Sequence, residues 1–115
     1  MAVSEFEIKR IEKIMEAHLE KNRPPVHIRN ELDINYRIED QSVELFEVRP
    51  AFRGPDKKIE QPIAKATYVK REKEWRLYWM RADLKWHRYE PVPTVNRLEE
   101  FIRVIEEDAH GCFYG

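Results

Sequence analysis

Four histidines, one cysteine and a dense mixture of acidic and basic groups between residues 65 and 90 are the side chains in this sequence that could do chemistry. The histidines are His18, His27, His87 and His110, and no two stand at a helical ligand spacing. His110 and Cys112 are separated by one residue, which is not a zinc signature, because tetrahedral sites draw paired ligands at set intervals. Structural or surface roles are therefore expected for the histidines, with no metal and no cofactor. Cys112 beside His110 is the one nearby thiol–imidazole pair, but nucleophilic attack needs a thiolate held beside a base. A histidine at a helix C-terminus is accounted for by the dipole, and a cysteine in a terminal tail reads as a small packing residue.

Asp83 and His87 form a second pair, with Arg81 or Arg88 near enough to bind an anion. General acid–base work of a small hydrolase or nuclease-like kind could use Asp83, His87 and Arg88. A spacing of four in a strand–turn region gives no fixed geometry, so an ordinary surface ion pair is the plainer reading. The three glycines, at 54, 111 and 115, cannot build a phosphate-binding loop or a dinucleotide fingerprint.

The richest stretch is the alternation from Trp75 onward. Trp75, Leu77, Trp79, Leu84 and Trp86 read as one side of a sheet facing helices. Arg76, Tyr78, Met80, Lys85, His87 and Tyr89 then face away. Tyrosines interleaved with Arg and Lys can stack bases and neutralise phosphates over residues 65–90. The same residue types suit a protein interface, and cross-strand Tyr and Arg pairs also stabilise a solvated face. A non-enzymatic binding or interaction domain using this outer face is the expectation, with protein contact ahead of single-stranded nucleic acid.

Two helices and a run of strands must position these residues. Ser4 with Glu7 makes a capping box, and Ile8, Ile11, Ile14, Met15 and Leu19 recur at helical spacing until Asn22 and Pro24-Pro25 stop the helix. Leu32, Ile34, Tyr36 and Ile38 alternate as a half-buried strand, and Val43 to Arg49 reads as its partner. Leu45 and Phe46 break the alternation, which predicts a β-bulge or a strand covered on both faces. Residues 50–62 form a long connection in which Phe52 pins the loop to the core. Ile63–Lys70, Trp75–Arg81 and Leu84–Tyr89 supply further strands. A second helix opens near Thr94 or Asn96, with Glu99 completing a cap from Asn96, and buries Leu98, Phe101, Ile102 and Ile105. It ends around Asp108 to His110 with Gly111 as a left-handed exit, and Cys112-Phe113-Tyr114 docks behind it. The order predicts a single α+β domain over 1–115: an antiparallel sheet of four or five strands with the N- and C-terminal helices on one face.

Composition agrees with a folded domain. The chain has 115 residues, 37% charged and 42% hydrophobic, with three Trp, five Tyr and five Phe, too many large apolar groups for disorder. The longest apolar run is Leu77 to Met80, so no membrane span is expected. A single cysteine excludes an internal disulfide and points to a reducing, cytoplasmic setting. The net charge of −1 hides a segregation: −4 over residues 1–47, +2 over 48–64, +4 over 65–90 and −3 over 91–115. Either a binding surface or complementary charge within the fold would account for it.

Lys65-Ala-Thr-Tyr-Val-Lys70, the run from Trp75 to Pro91 and the ending Glu107-Asp-Ala-His-Gly-Cys-Phe113 resemble a small bacterial family of unknown function, across almost the whole chain. That resemblance implies a stand-alone bacterial cytoplasmic protein and carries no functional residue with it. A sheet with one uncovered face also predicts a homodimer. In it Tyr78, Met80 and Tyr89 are buried between copies, Arg76 and Lys85 meet Glu44 or Asp33, and Tyr78→Glu separates the subunits.

Overall fold

The computed structural model describes residues 4–29, 31–51, 54 and 57–108. The first helix, α1 (Glu5–Asn22), begins where the Ser4 hydroxyl accepts the Glu7 backbone N–H at 3.2 Å and donates to Glu7 Oε1 at 3.2 Å. It buries Ile11, Met15 and His18. A 3-10 turn over Val26–Ile28 leads into β1 (Asp33–Glu39), followed by β2 (Ser42–Pro50), β3 (Lys58–Val69), β4 (Glu74–Met80), β5 (Trp86–Arg88), β6 (Thr94–Val95) and α2 (Leu98–Glu107).

The sheet is an antiparallel meander in the order β1-β2-β3-β4-β5, with β6 also paired to β4. β5 pairs with the Tyr78–Met80 end of β4 and β6 with the Trp75–Arg76 end. Between them Tyr89 N–H donates to Leu77 O and Leu77 N–H to Pro93 O, both at 3.0 Å. The last edge is thus shared by two short strands. β6 was not expected, and it displaces the predicted start of α2: Thr94 and Val95 continue the sheet. Arg97 occupies the cap position without a side-chain hydrogen bond, so tertiary pairing overrides the Asn96 capping signal.

The slip at Leu45 and Phe46 is a bulge. Leu45 lies opposite Ala64 and Phe46 opposite Pro62, leaving Ile63 as the extra residue on β3. Ile63 and Ala64 are both buried in the core, and Pro62 sits at the bulge, a strand position that tolerates a missing donor. Phe46 is buried outside that core, under the Arg37 guanidinium at 4.4 Å. Beyond the bulge the hairpin continues to Pro50 opposite Lys58, so the connection expected over 50–62 shrinks to residues 51–57. Ala51 N–H to Lys57 O closes it at 2.8 Å; Phe52 lies outside the described residues.

Both helices lie on one side of the sheet. Ile11 and Met15 from α1, and Leu98, Phe101 and Ile105 from α2, meet Val43, Leu45, Ala64, Ala66 and Leu77 in a single core. α2 ends with Asp108 in the left-handed region at φ 39°. The left-handed exit comes at Asp108 instead of the expected Gly111; Gly111 and the tail from residue 109 lie outside the described residues.

Two carboxylates tie the helices in. Arg23 donates Nε to Asp33 Oδ1 at 2.7 Å and its terminal nitrogen to Oδ2 at 2.6 Å, joining the end of α1 to β1. The Arg23 hydrogen bond holds the Asp33 carboxyl below the usual carboxylate range. Burial pushes Glu106 upward, but hydrogen bonds from Lys21 and His18 outweigh it and leave its pKa lowered. Depressed carboxylates contribute stability above their unfolded pKa, about 4, and lose it as pH falls through the folded value. Thermal melts should therefore be flat from neutrality to mildly acidic pH and fall below about pH 4. Asp33→Asn should be less stable at neutrality and shallower in its acid decline; an identical acid slope would reject the assignment.

Candidate functional site

Opposite the helices the sheet carries a continuous cross-strand row: Arg37, Glu44, Lys65, Tyr78 and Arg88, each opposite the next. Beside it lie Arg76 opposite Thr67 and Met80 opposite Trp86. Lys65 Nζ stands 5.3 Å from the Tyr78 ring centre and 5.1 Å from that of Trp86, and the Arg88 guanidinium lies 5.9 Å from Tyr78. Cations are drawn to aromatic faces by the ring quadrupole, so Lys65 is held between two rings and Tyr78 between two cations. Lys65, Tyr78, Met80 and Trp86 are half-buried, although neither helix covers this side.

The structure keeps Arg76, Tyr78 and Met80 on this face and corrects three other expected members. Tyr89 is only 2% exposed and belongs to the core. His87 lies opposite Trp79, on the helix side of the sheet. Lys85 is in the β4–β5 loop, where its carbonyl accepts the Arg81 N–H at 3.3 Å. Conversely, Trp86, expected to face the helices, lies on the outer face.

The cause is a one-residue difference in register. Leu84, expected in a strand facing the helices, is 80% exposed with φ 63°. The strand starts at Trp86, and a shift of one residue exchanges the two faces. Lys65, Trp86 and Arg88 are the face residues that alternation alone did not identify.

Asp83 and His87 do meet, with Nε2 and Oδ2 2.8 Å apart. Asp83 Oδ1 also accepts the Lys85 N–H at 3.0 Å. The His87 hydrogen bond is the main reason the Asp83 carboxyl titrates low. The pair clips the turn that reverses β4 into β5. Arg88, the third member of the expected catalytic group, projects to the opposite side against Tyr78 and donates to Pro93 O at 3.3 Å. Among the described residues no cluster of three or more His, Cys, Asp or Glu side chains is placed to hold a metal ion. No described helix is long and apolar enough to cross a membrane. His110 and Cys112 lie outside the described residues.

The model of a family defined as a domain of unknown function, DUF3024, matches residues 3–115. The chain belongs to that family. No curated protein and no solved structure matches it. For this DUF3024 chain the functional reading therefore rests on its own geometry, in which the largest departure from a plain solvated sheet is the cation–aromatic lattice around Lys65.

Proposed function

We propose that this domain acts by binding and that the outer sheet face is its protein-contact surface. The observation that carries the reading is Lys65 held between Tyr78 and Trp86 on the side of the sheet that neither described helix covers. Tyr, Trp, Met and Arg are the residue types enriched where proteins meet, and cations fixed on rings lose little side-chain freedom on docking. The single cysteine supports a reducing, cytoplasmic setting. Separation of Arg88 from Asp83 and His87 weighs against the hydrolase or nuclease-like alternative.

Protein is favoured over single-stranded nucleic acid because base stacking needs free ring faces. Here Lys65 and Arg88 already lie over Tyr78, and Lys65 over Trp86. No gel shift is expected with mixed single-stranded RNA and DNA, even at low salt where phosphate contacts are strongest. A shift abolished by Tyr78→Ala would replace the protein reading.

A photo-crosslinking side chain placed at Trp86 in living cells tests the surface itself. A discrete protein adduct is expected there and not from Arg103, on an exposed flank of α2. No adduct at Trp86, or one removed by nuclease, would overturn the reading.

A further inference from the structure

The other surface of the molecule is built for a different contact. α1 and α2 run side by side in the same direction: Lys21 Nζ reaches Glu106 Oε2 at 3.1 Å near both C-termini. Arg10 and Glu99 line one groove near both N-termini. That groove has a volume of about 560 Å³. Its floor is mainly apolar, from Ile14 on α1 and Ile102 on α2, with the buried His18 ring beside them and Ala17 on the lip. Its α1 wall is basic, with Arg10, Lys13 and Lys21, and its α2 wall is acidic, with Glu99 and Glu106. Lys21 and Glu106 bridge across one end, whereas among the described residues no ion pair holds Arg10, Lys13 or Glu99.

We infer that this seam is a homodimer interface, in which the helix pairs of two copies form a four-helix bundle between outward-facing sheets. The occupant is identified by charge. A two-fold axis running parallel to the helices lays α1 of one copy over α2 of the other and preserves height along the bundle. Each Arg10 then meets Glu99 of the partner subunit, twice per dimer, and each basic wall faces an acidic one. A two-fold axis across the helices would instead set α1 on α1, basic wall against basic wall. Charges flanking an apolar seam select partner and orientation in this way in helical bundles. Ile14, Ala17 and Ile102 of both copies fill the centre, and Ala17 is small enough for close approach. The inference is independent of the outer face: Asp33, once expected to receive a partner's cation there, is already held by Arg23.

Mixing of charge-reversed variants tests it. Wild type is expected to sediment at twice the 14.0 kDa chain mass at high micromolar concentration. Arg10→Glu and Glu99→Arg should each be monomeric, since two like-charge contacts per dimer weaken association by more than about tenfold. An equimolar mixture of the two should recover a dimer. In the mixed pair the introduced glutamate faces the introduced arginine, and the native Arg10 of one chain faces the native Glu99 of the other. Ala17→Arg, at an exposed position on the groove lip, should give a monomer with an unchanged melting temperature. Tyr78→Glu should leave the dimer intact, which separates this interface from the outer face. A wild type that stays monomeric, single variants that remain dimeric, or a mixture that stays monomeric would each overturn the inference.

Discussion

Tyr89→Ala is expected to destabilise the domain by about 3–5 kcal/mol, the cost of deleting a large aromatic side chain from a packed core. Total stability for a domain of this size is about 5–15 kcal/mol, so the variant should be marginal and melt at least about 10 °C lower. Tyr89 is 2% exposed, lies in the core cluster, and its N–H is fixed on Leu77 O. Tyr78→Ala removes a half-buried ring stacked by Lys65 and Arg88, and should cost nearer about 1 kcal/mol. Urea titration of the two variants checks the order. If Tyr78→Ala were the more damaging, the face assignment of β5 would be reversed.

That contrast marks where the sequence was readable. Helical periodicity located α1 to its last residue, because the Ser4 cap and Pro24-Pro25 act through local backbone chemistry. The adjacent apolar pair Leu45-Phe46 pointed to both expected features: the register slips there because Ile63 is extra on β3, and β2 is covered on both faces, with Leu45 in the core and Phe46 under Arg37. The outer face was legible only as far as β4. Past Met80 the chain turns through Leu84 at positive φ, a conformation that its residue type does not announce. Counting across that turn carried the wrong parity, so His87 and Tyr89 changed sides with Trp86 and Arg88. Lys65 escaped notice because its ring partners come from β4 and β5, and only the register brings them together. The cap expected at Asn96 failed for a related reason: the pairing of Thr94 and Val95 with β4 outweighs a cap hydrogen bond of about 1 kcal/mol.

Phe101→Ala is the second large effect. α2 is ten residues long, too short to be stable alone in water, and its N-terminus has no side-chain cap. Its place depends on Leu98, Phe101, Ile102 and Ile105, and Phe101 is fully buried. Replacing that ring should cost about 3–5 kcal/mol. Phe46→Ala deletes the same side chain on the opposite side of the sheet. There Arg37 can settle into the space, so the cost should be nearer about 1.5–3 kcal/mol. Amide exchange should show α2 losing protection in Phe101→Ala while β1 to β3 keep theirs. Uniform loss across the sheet would mean that α2 and the sheet unfold as one unit.

The first strand carries a consequence for assembly. β1 is an outer strand of the sheet, and such a strand normally offers its free amides to any passing chain. Here Asp33 Oδ1 takes the N–H of Ile34 at 2.9 Å, and Asn35 Oδ1 takes that of Tyr36 at 2.8 Å. Two donors that could template an incoming strand are satisfied by the side chain immediately before each of them. Arg23, clamped on the same Asp33, stands guard at the start of the strand. The first half of this edge is thereby closed to edge-on addition of another strand, the step by which fibrils grow.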